Sequence, residues 1–287
     1  MVRVVALVAA GVAALSAPSF AHAYQWPVKP FHRQHPIRGA FDDPRLGGTF
    51  HFGVDISAPD GTAVYAVAPG TVFRYPDAIA VRQPGGHEFA YWHVRGIVPE
   101  HSYVKTGEKI GFIRRGFGHV HFAEFNGRTY VNPLRRGALT PFADHTKPIV
   151  GPIVVEQSGP TISATVEAYD PPPMKAPWPW QNAMWTPDLI RWRLLDDGSA
   201  VVPWTTAEDA NVYHSKRDYD KVYAPGTMQN LADHTGRYIF WLTRRLRIDA
   251  GRYDLEVKAS DTRGNTGTGS LVFDVDQSRS TENRPSR

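Results

Sequence analysis

Between residue 24 and about residue 142 the chain shows almost no helical periodicity. Instead, short runs rich in β-branched and aromatic residues, "GTAVYAVAPGTVFRY", "AIAVRQPGGHEFAYWHV" and "EKIGFIRRGFGHVHFAEFNGRTYVNPL", are cut apart by Gly and Pro. Each bounded run reads as a strand, and "QPGGH" has the chemistry of a tight hairpin turn. A Pro-containing bridge, "PFADHTKPIVGP", then leads to a second region, in which Tyr253, Leu255, Val257 and Ala259 alternate with charged residues as in a strand with one buried face. The "DTRGN" turn and the "SLVFDV" run predict a closing hairpin of a β-sandwich. The expected fold is therefore all-β, with an antiparallel β-sheet domain over residues 24–145 and a β-sandwich over 149–276. At 287 residues, 42% of them apolar, two modest cores fit the length. No internal repeat relates the halves, and the polar residues 277–287 are expected to be disordered.

The first residues, "MVRVVALVAAGVAALSAPSFAHAY", combine one Arg, an apolar run and the small-x-small triplet Ala21-His22-Ala23. This predicts a secretory signal peptide over 1–23 and a mature chain from Tyr24. Ser16, Pro18 and Ser19 interrupt the run, whereas a membrane anchor needs roughly 20 apolar residues. The expected product is secreted or held in the cell envelope, without a membrane span after signal removal, as a monomer. The chain has no cysteine, which excludes thiol chemistry, disulfides and a lipid-modified cysteine. A net charge of +4 favours residence on an anionic surface. No Lys/Arg run interleaved with aromatics argues for nucleic acid.

The chemistry concentrates in three places. "HFGVD" sets His51 and Asp55 four apart, which on a regular strand would be roughly 13 Å, so the chain must bend between them, and Gly53 is where it can. "GHVHF" places His119 and His121 on one face of a strand at roughly 7 Å, close enough for one to ligate a metal and the other to stand behind it. "YWHV" puts His93 near a strand end. Three N/O ligands with an open fourth position are the pattern of catalytic zinc, and without cysteine a His, Asp, His set points to hydrolytic zinc.

The segment from about His35 to Leu134 resembles the lysostaphin/LytM-type zinc endopeptidases, which cut peptidoglycan cross-links. The pattern H-x-G-x-D, G-T-x-V-Y-A and G-x-V is matched by "HFGVD", "GTAVYA" and "GTV". The further elements Y-x-H-L, V-x-x-G-x-x-I-G, H-x-H-F and V-N-P-L are matched in order by "YWHV", "VKTGEKIG", "HVHF" and "VNPL". The resemblance implies a LytM-type peptidase fold, Zn2+ held by His51, Asp55 and His121, and His93 and His119 as catalytic histidines. It implies hydrolysis of cell-wall peptides by zinc-activated water, with peptidoglycan as partner. A non-catalytic or latent module that binds peptidoglycan or regulates another hydrolase is the alternative, and a secreted peptidase of non-wall proteins is a third. The loops "YPD" and "FIRRGFG" are shorter than the family's, which implies a more open cleft.

The remaining histidines, His32, His35, His87, His101, His145, His214 and His234, lack partner spacing and read as surface or hydrogen-bonded structural residues, with a place in the groove as the alternative for His35, since "HPIRGAF" precedes His51. Trp178, Trp180, Trp185 and Trp192 are expected to pack a core or an interface rather than stack on sugar rings. No catalytic constellation is visible in this second region, which resembles immunoglobulin-like or fibronectin-like modules weakly.

Overall fold

The computed structural model describes residues 23–276. The expected signal peptide, apart from Ala23, and the expected tail lie outside them. The architecture is almost entirely antiparallel β, and the two short helical turns at Lys216–Asp218 and Tyr219–Val222 are its helices among the described residues.

The first half is built on one sheet. Its principal strands are β1 (Ile37–Gly39), β2 (Val54–Ser57), β3 (Gly70–Tyr75), β4 (Ala78–Arg82), β5 (His87–Trp92) and β6 (His119–Asn126). They lie side by side in the order β1-β2-β6-β5-β4-β3. The turn between β4 and β5 is the one expected from "QPGGH", with Gly85 and Gly86 both at φ +85°, a conformation glycine adopts without a Cβ clash. Ala63–Tyr65, Lys109–Ile113 and Val94–Gly96 form a smaller sheet. Between the two lies a core that includes Val54, Ile56, Val72, Tyr91, Val120 and Phe122.

The second half pairs β7 (Ile149–Ser158), β8 (Thr161–Tyr169), β9 (Leu189–Asp196), β10 (Ser199–Asp209), β11 (Ile239–Arg247), β12 (Gly251–Ser260) and β13 (Thr266–Val275). A three-stranded sheet, β7-β8-β11, and a four-stranded sheet, β10-β9-β12-β13, share one core. Tyr253, Leu255, Val257 and Ala259 all point into it, as their alternation predicts, and β12 and β13 form the closing hairpin.

The halves exchange aromatic side chains. Phe50, from the short hairpin Pro44–Arg45/Thr49–Phe50, packs in the second core against His214, Tyr219 and Tyr223. Trp185, from the loop between β8 and β9, packs in the first core and its indole N–H donates to the Ile37 carbonyl at 3.3 Å. Polar contacts follow the same seam: the Thr186 amide donates to Asp43 Oδ1 at 2.8 Å, and the Tyr223 hydroxyl to the Asp42 carbonyl at 2.8 Å.

Candidate metal centre

Antiparallel pairing of β6 with β2 sets His121 opposite Asp55 and His119 opposite Ser57, while β5 sets Trp92 opposite His121 on the other side. Two adjacent strands thus deliver three of the five side chains expected at the site, at the centre of the sheet. His51 precedes β2 and is fixed by backbone hydrogen bonds, its N–H to Asp43 O at 3.0 Å and its carbonyl to the Asp42 amide at 2.8 Å.

Three donor atoms meet at one point. Nε2 of His51 lies 2.7 Å from Nδ1 of His121 and 3.1 Å from Oδ1 of Asp55, and His121 Nδ1 is also 3.1 Å from that oxygen. The remaining ring nitrogen of His51, Nδ1, lies 2.7 Å from the Ala40 carbonyl. A carbonyl only accepts, so Nδ1 carries the proton and Nε2 turns a lone pair toward its two neighbours. Burial pushes His51 down to about 3 and also lowers His121, so both rings are neutral at pH 7. Burial opposes ionisation of Asp55 as well, but the Arg45 guanidinium and hydrogen bonds from His119 and His121 hold its carboxyl well below the usual range. Two neutral imidazoles and a carboxylate are the protonation states a metal requires of its ligands. A tetrahedral set at about 2.0–2.1 Å would hold donors roughly 3.3 Å apart, so the two 3.1 Å pairs need open by about 0.2 Å and the 2.7 Å His51–His121 pair by about 0.6 Å. The donor set fits a divalent N/O-liganded metal.

The bend expected at Gly53 is explained differently by the structure. Gly53 does not occupy the left-handed region; a Cβ there would lie 2.4 Å from the Phe122 carbonyl oxygen and 2.9 Å from Cε1 of His121. The position is glycine because the Phe122 carbonyl and, next to it, the His121 ring pass across it.

His93 and His119 flank the three donors. His93 follows β5 at φ +63° and stacks on Phe117 with ring centroids 4.2 Å apart; His119 is 4.7 Å away on the same measure. Burial, followed by repulsion from His119 and His121, pushes His93 down to about 4, and its Nδ1 is buried without a partner. His119 Nε2 lies 3.3 Å from Asp55 Oδ1. A cavity of about 300 Å³ opens over these groups, rimmed by Arg45, Phe52 and Trp92.

Two arginines at the site have no signature in the sequence. Arg45 donates to the second oxygen of Asp55 at 2.8 Å. Arg38 Nη2 lies 2.7 Å from His119 Nδ1, and its guanidinium stacks on Trp180 of the second half at 4.4 Å. Trp178, 77% exposed, and Trp180 wall a second cavity of about 450 Å³ beside Phe117 and Asp60. Trp185 and Trp192 are buried as expected, whereas Trp178 is not. His35 does not line the groove: it packs on Trp26 and contacts the Pro30 carbonyl at 3.1 Å. His87 bonds to buried Glu124 at 2.9 Å, and His214 to Asp42 at 2.6 Å, both structural pairings.

Comparison with known proteins supplies a family for this region. Residues 49–133 match Peptidase family M23. The DD-carboxypeptidase/endopeptidase Mpg of Neisseria meningitidis is 35% identical over 121 residues, covering 38% of this chain and 26% of that protein, and the protein of the same name from Neisseria gonorrhoeae matches equally. The chain thus spans about a quarter of the length of the curated relatives it matches. Among solved structures, Helicobacter pylori Csd3 superposes with a TM-score of 0.34 at 22% identity, covering 40% of this chain and 34% of that one. The M23 metalloprotease pseudoalterin from the deep sea superposes with a TM-score of 0.33 at 13% identity, covering 68% and 99%.

Proposed function

Since residues 49–133 form a peptidase M23 domain of LytM type, we propose that the protein is an exported zinc metalloendopeptidase that hydrolyses peptide bonds in peptidoglycan stem peptides or cross-bridges. The observation that carries this reading is the meeting of His51 Nε2, Asp55 Oδ1 and His121 Nδ1 within 3.1 Å of one another, with the His51 lone pair aimed inward by the Ala40 carbonyl. When bound there, zinc acidifies a water and polarises a carbonyl. The name of the Neisseria relative, a carboxypeptidase and endopeptidase, supports the substrate class.

The two flanking histidines divide the remaining work. His93 is neutral, and Phe117 holds the plane of its ring; we assign it the role of general base. His119 meets a guanidinium that can only donate, so its Nδ1 accepts from Arg38 and its Nε2 carries the proton, which faces Asp55 Oδ1 at 3.3 Å. The Phe117 carbonyl, 2.8 Å from the same Nδ1, favours the opposite tautomer, and the charged donor at shorter range outweighs it. That tautomer makes His119 the donor for the developing oxyanion.

The test is hydrolysis of purified peptidoglycan by the zinc-loaded chain, with products identified by mass spectrometry. His121→Ala is expected to lose both zinc and activity; His93→Ala is expected to keep full zinc and lose about 10²-fold or more in turnover. Full zinc content in His121→Ala would refute the ligand assignment. Zinc-loaded wild-type protein that leaves the wall intact would favour a module that binds peptidoglycan or regulates another hydrolase.

A further inference from the structure

A second cluster of ligating atoms, sharing no residue with the histidine centre, lies at the junction of the two halves. Asp144 belongs to the bridge, Asp170 follows β8 and Asp261 follows β12; each is no more than 5% exposed, and one carboxylate oxygen from each lies within 4.8 Å of the others. Two of the three are held by hydrogen bonds. Asp144 Oδ1 accepts from the Thr146 amide at 2.9 Å and its hydroxyl at 2.5 Å. Asp261 accepts from the amides of Arg263 and Asn265 at 2.8 and 2.9 Å and from the Asn265 side chain at 2.6 Å. Asp170 is different: its Oδ1 is buried and has no partner.

No Lys, Arg or His forms an ion pair with any of the three among the described residues. The charge of Arg263 reaches Asp261 and Asp144 at longer range, but its N–H groups are turned toward the carbonyls of Leu134 and Phe142. Three buried carboxylates with no directly paired cation are strongly unfavourable, so further positive charge is needed among them. A single proton leaves two negative charges in the cluster. A divalent ion meets the need with one particle, and a separation of up to 4.8 Å is what two oxygens on opposite sides of one ion at 2.3–2.6 Å would span. The donors are all oxygen, which selects a hard cation, and Mg2+ demands stricter geometry and dehydrates less readily than Ca2+.

We propose that Asp144, Asp170 and Asp261 form a calcium site that ties the bridge to the ends of β8 and β12 and so fixes the second half against the first. Burial and the neighbouring carboxylates push Asp170 up to about 9 without the ion, in keeping with a position that requires added positive charge.

Titration calorimetry and thermal melting with CaCl2, on the zinc-loaded chain so that the histidine centre is already filled, test this directly. One calcium is expected to bind with a Kd on the order of 10⁻⁴–10⁻³ M, the range of extracellular calcium modules, and to raise the melting temperature. Asp170→Asn keeps the shape and removes no hydrogen bond of the fold, and it is expected to weaken calcium binding at least about tenfold, since it removes one of three charged ligands. No calcium response in the wild type, or the same response in Asp170→Asn, would overturn the site. Stabilisation by Asp170→Asn in calcium-free buffer, with no calcium response in the wild type, would assign the compensation to a proton instead.

Discussion

Gly53 shows how tightly the centre is drawn. Its missing side chain is the space through which the His121 ring reaches His51 and Asp55, and a Cβ there would meet backbone at 2.4 Å, a contact that cannot relax by rotating a side chain. Gly53→Ala is therefore expected to displace β6 from the loop before β2 and to weaken zinc affinity by at least about tenfold, the loss that displaced ligand geometry typically brings. Zinc titration against a chromophoric chelator reads this, with circular dichroism as the check on the fold. Unchanged affinity would mean that the ring has room the structure does not show. That His51, Asp55 and His121 come together, with His93 and His119 beside them, was legible from the ordered motifs "HFGVD", "YWHV" and "HVHF" and the family resemblance they carry, since either short spacing alone recurs by chance. Arg38 and Arg45 were not legible. They reach the site from the three-residue strand β1 and the two-residue strand Pro44–Arg45, too short to show a pattern, and what brings them there is contact with Trp180 and Asp55, which no periodicity encodes.

At the scale of elements, alternation along β12 and the turn residues of the β4–β5 hairpin carried the fold, because in each case one local rule and the tertiary structure agree. The end of β10 is a place where they do not. Glu208 lies 2% exposed beside Asp42, with His214 Nδ1 2.6 Å from Asp42 and 3.6 Å from Glu208, and both oxygens of Glu208 lack a hydrogen-bond partner. Burial pushes the Glu208 carboxyl well above its usual value, and the charges of Asp42, Asp209 and Asp188 add to the effect. An acid with a raised folded-state pKa contributes its full stability below the unfolded value of about 4.3, and that contribution is lost as pH climbs toward the folded value. Glu208→Gln, which cannot ionise, is expected to melt at a higher temperature than the wild type at pH 8, with the difference shrinking toward pH 4. Melting curves across that range decide it, and a pH-independent difference would point to packing rather than ionisation.

The whole molecule is held together by the exchange of Phe50 and Trp185 between the two cores. Each side chain is contributed by one half and buried by the other, so neither core is complete without both. Phe50→Ala is expected to cost about 3–4 kcal/mol, as for a large aromatic removed from a packed interior. Because its pocket of Tyr219, Tyr223 and His214 sits beside the loop that carries His51, the loss should reach the metal centre as well as the sandwich. Calorimetry of the intact chain should show one transition, shifted as a unit in this variant; two separable transitions would mean the cores melt independently. The exchange also bears on how such a chain can be rebuilt. A gene fusion that joined residues 24–145 to some other domain would carry Phe50 into solvent and leave the slot of Trp185 empty, so this first half is not a cassette: whatever replaces its companion must bring a tryptophan to the same slot and a pocket for the same phenylalanine.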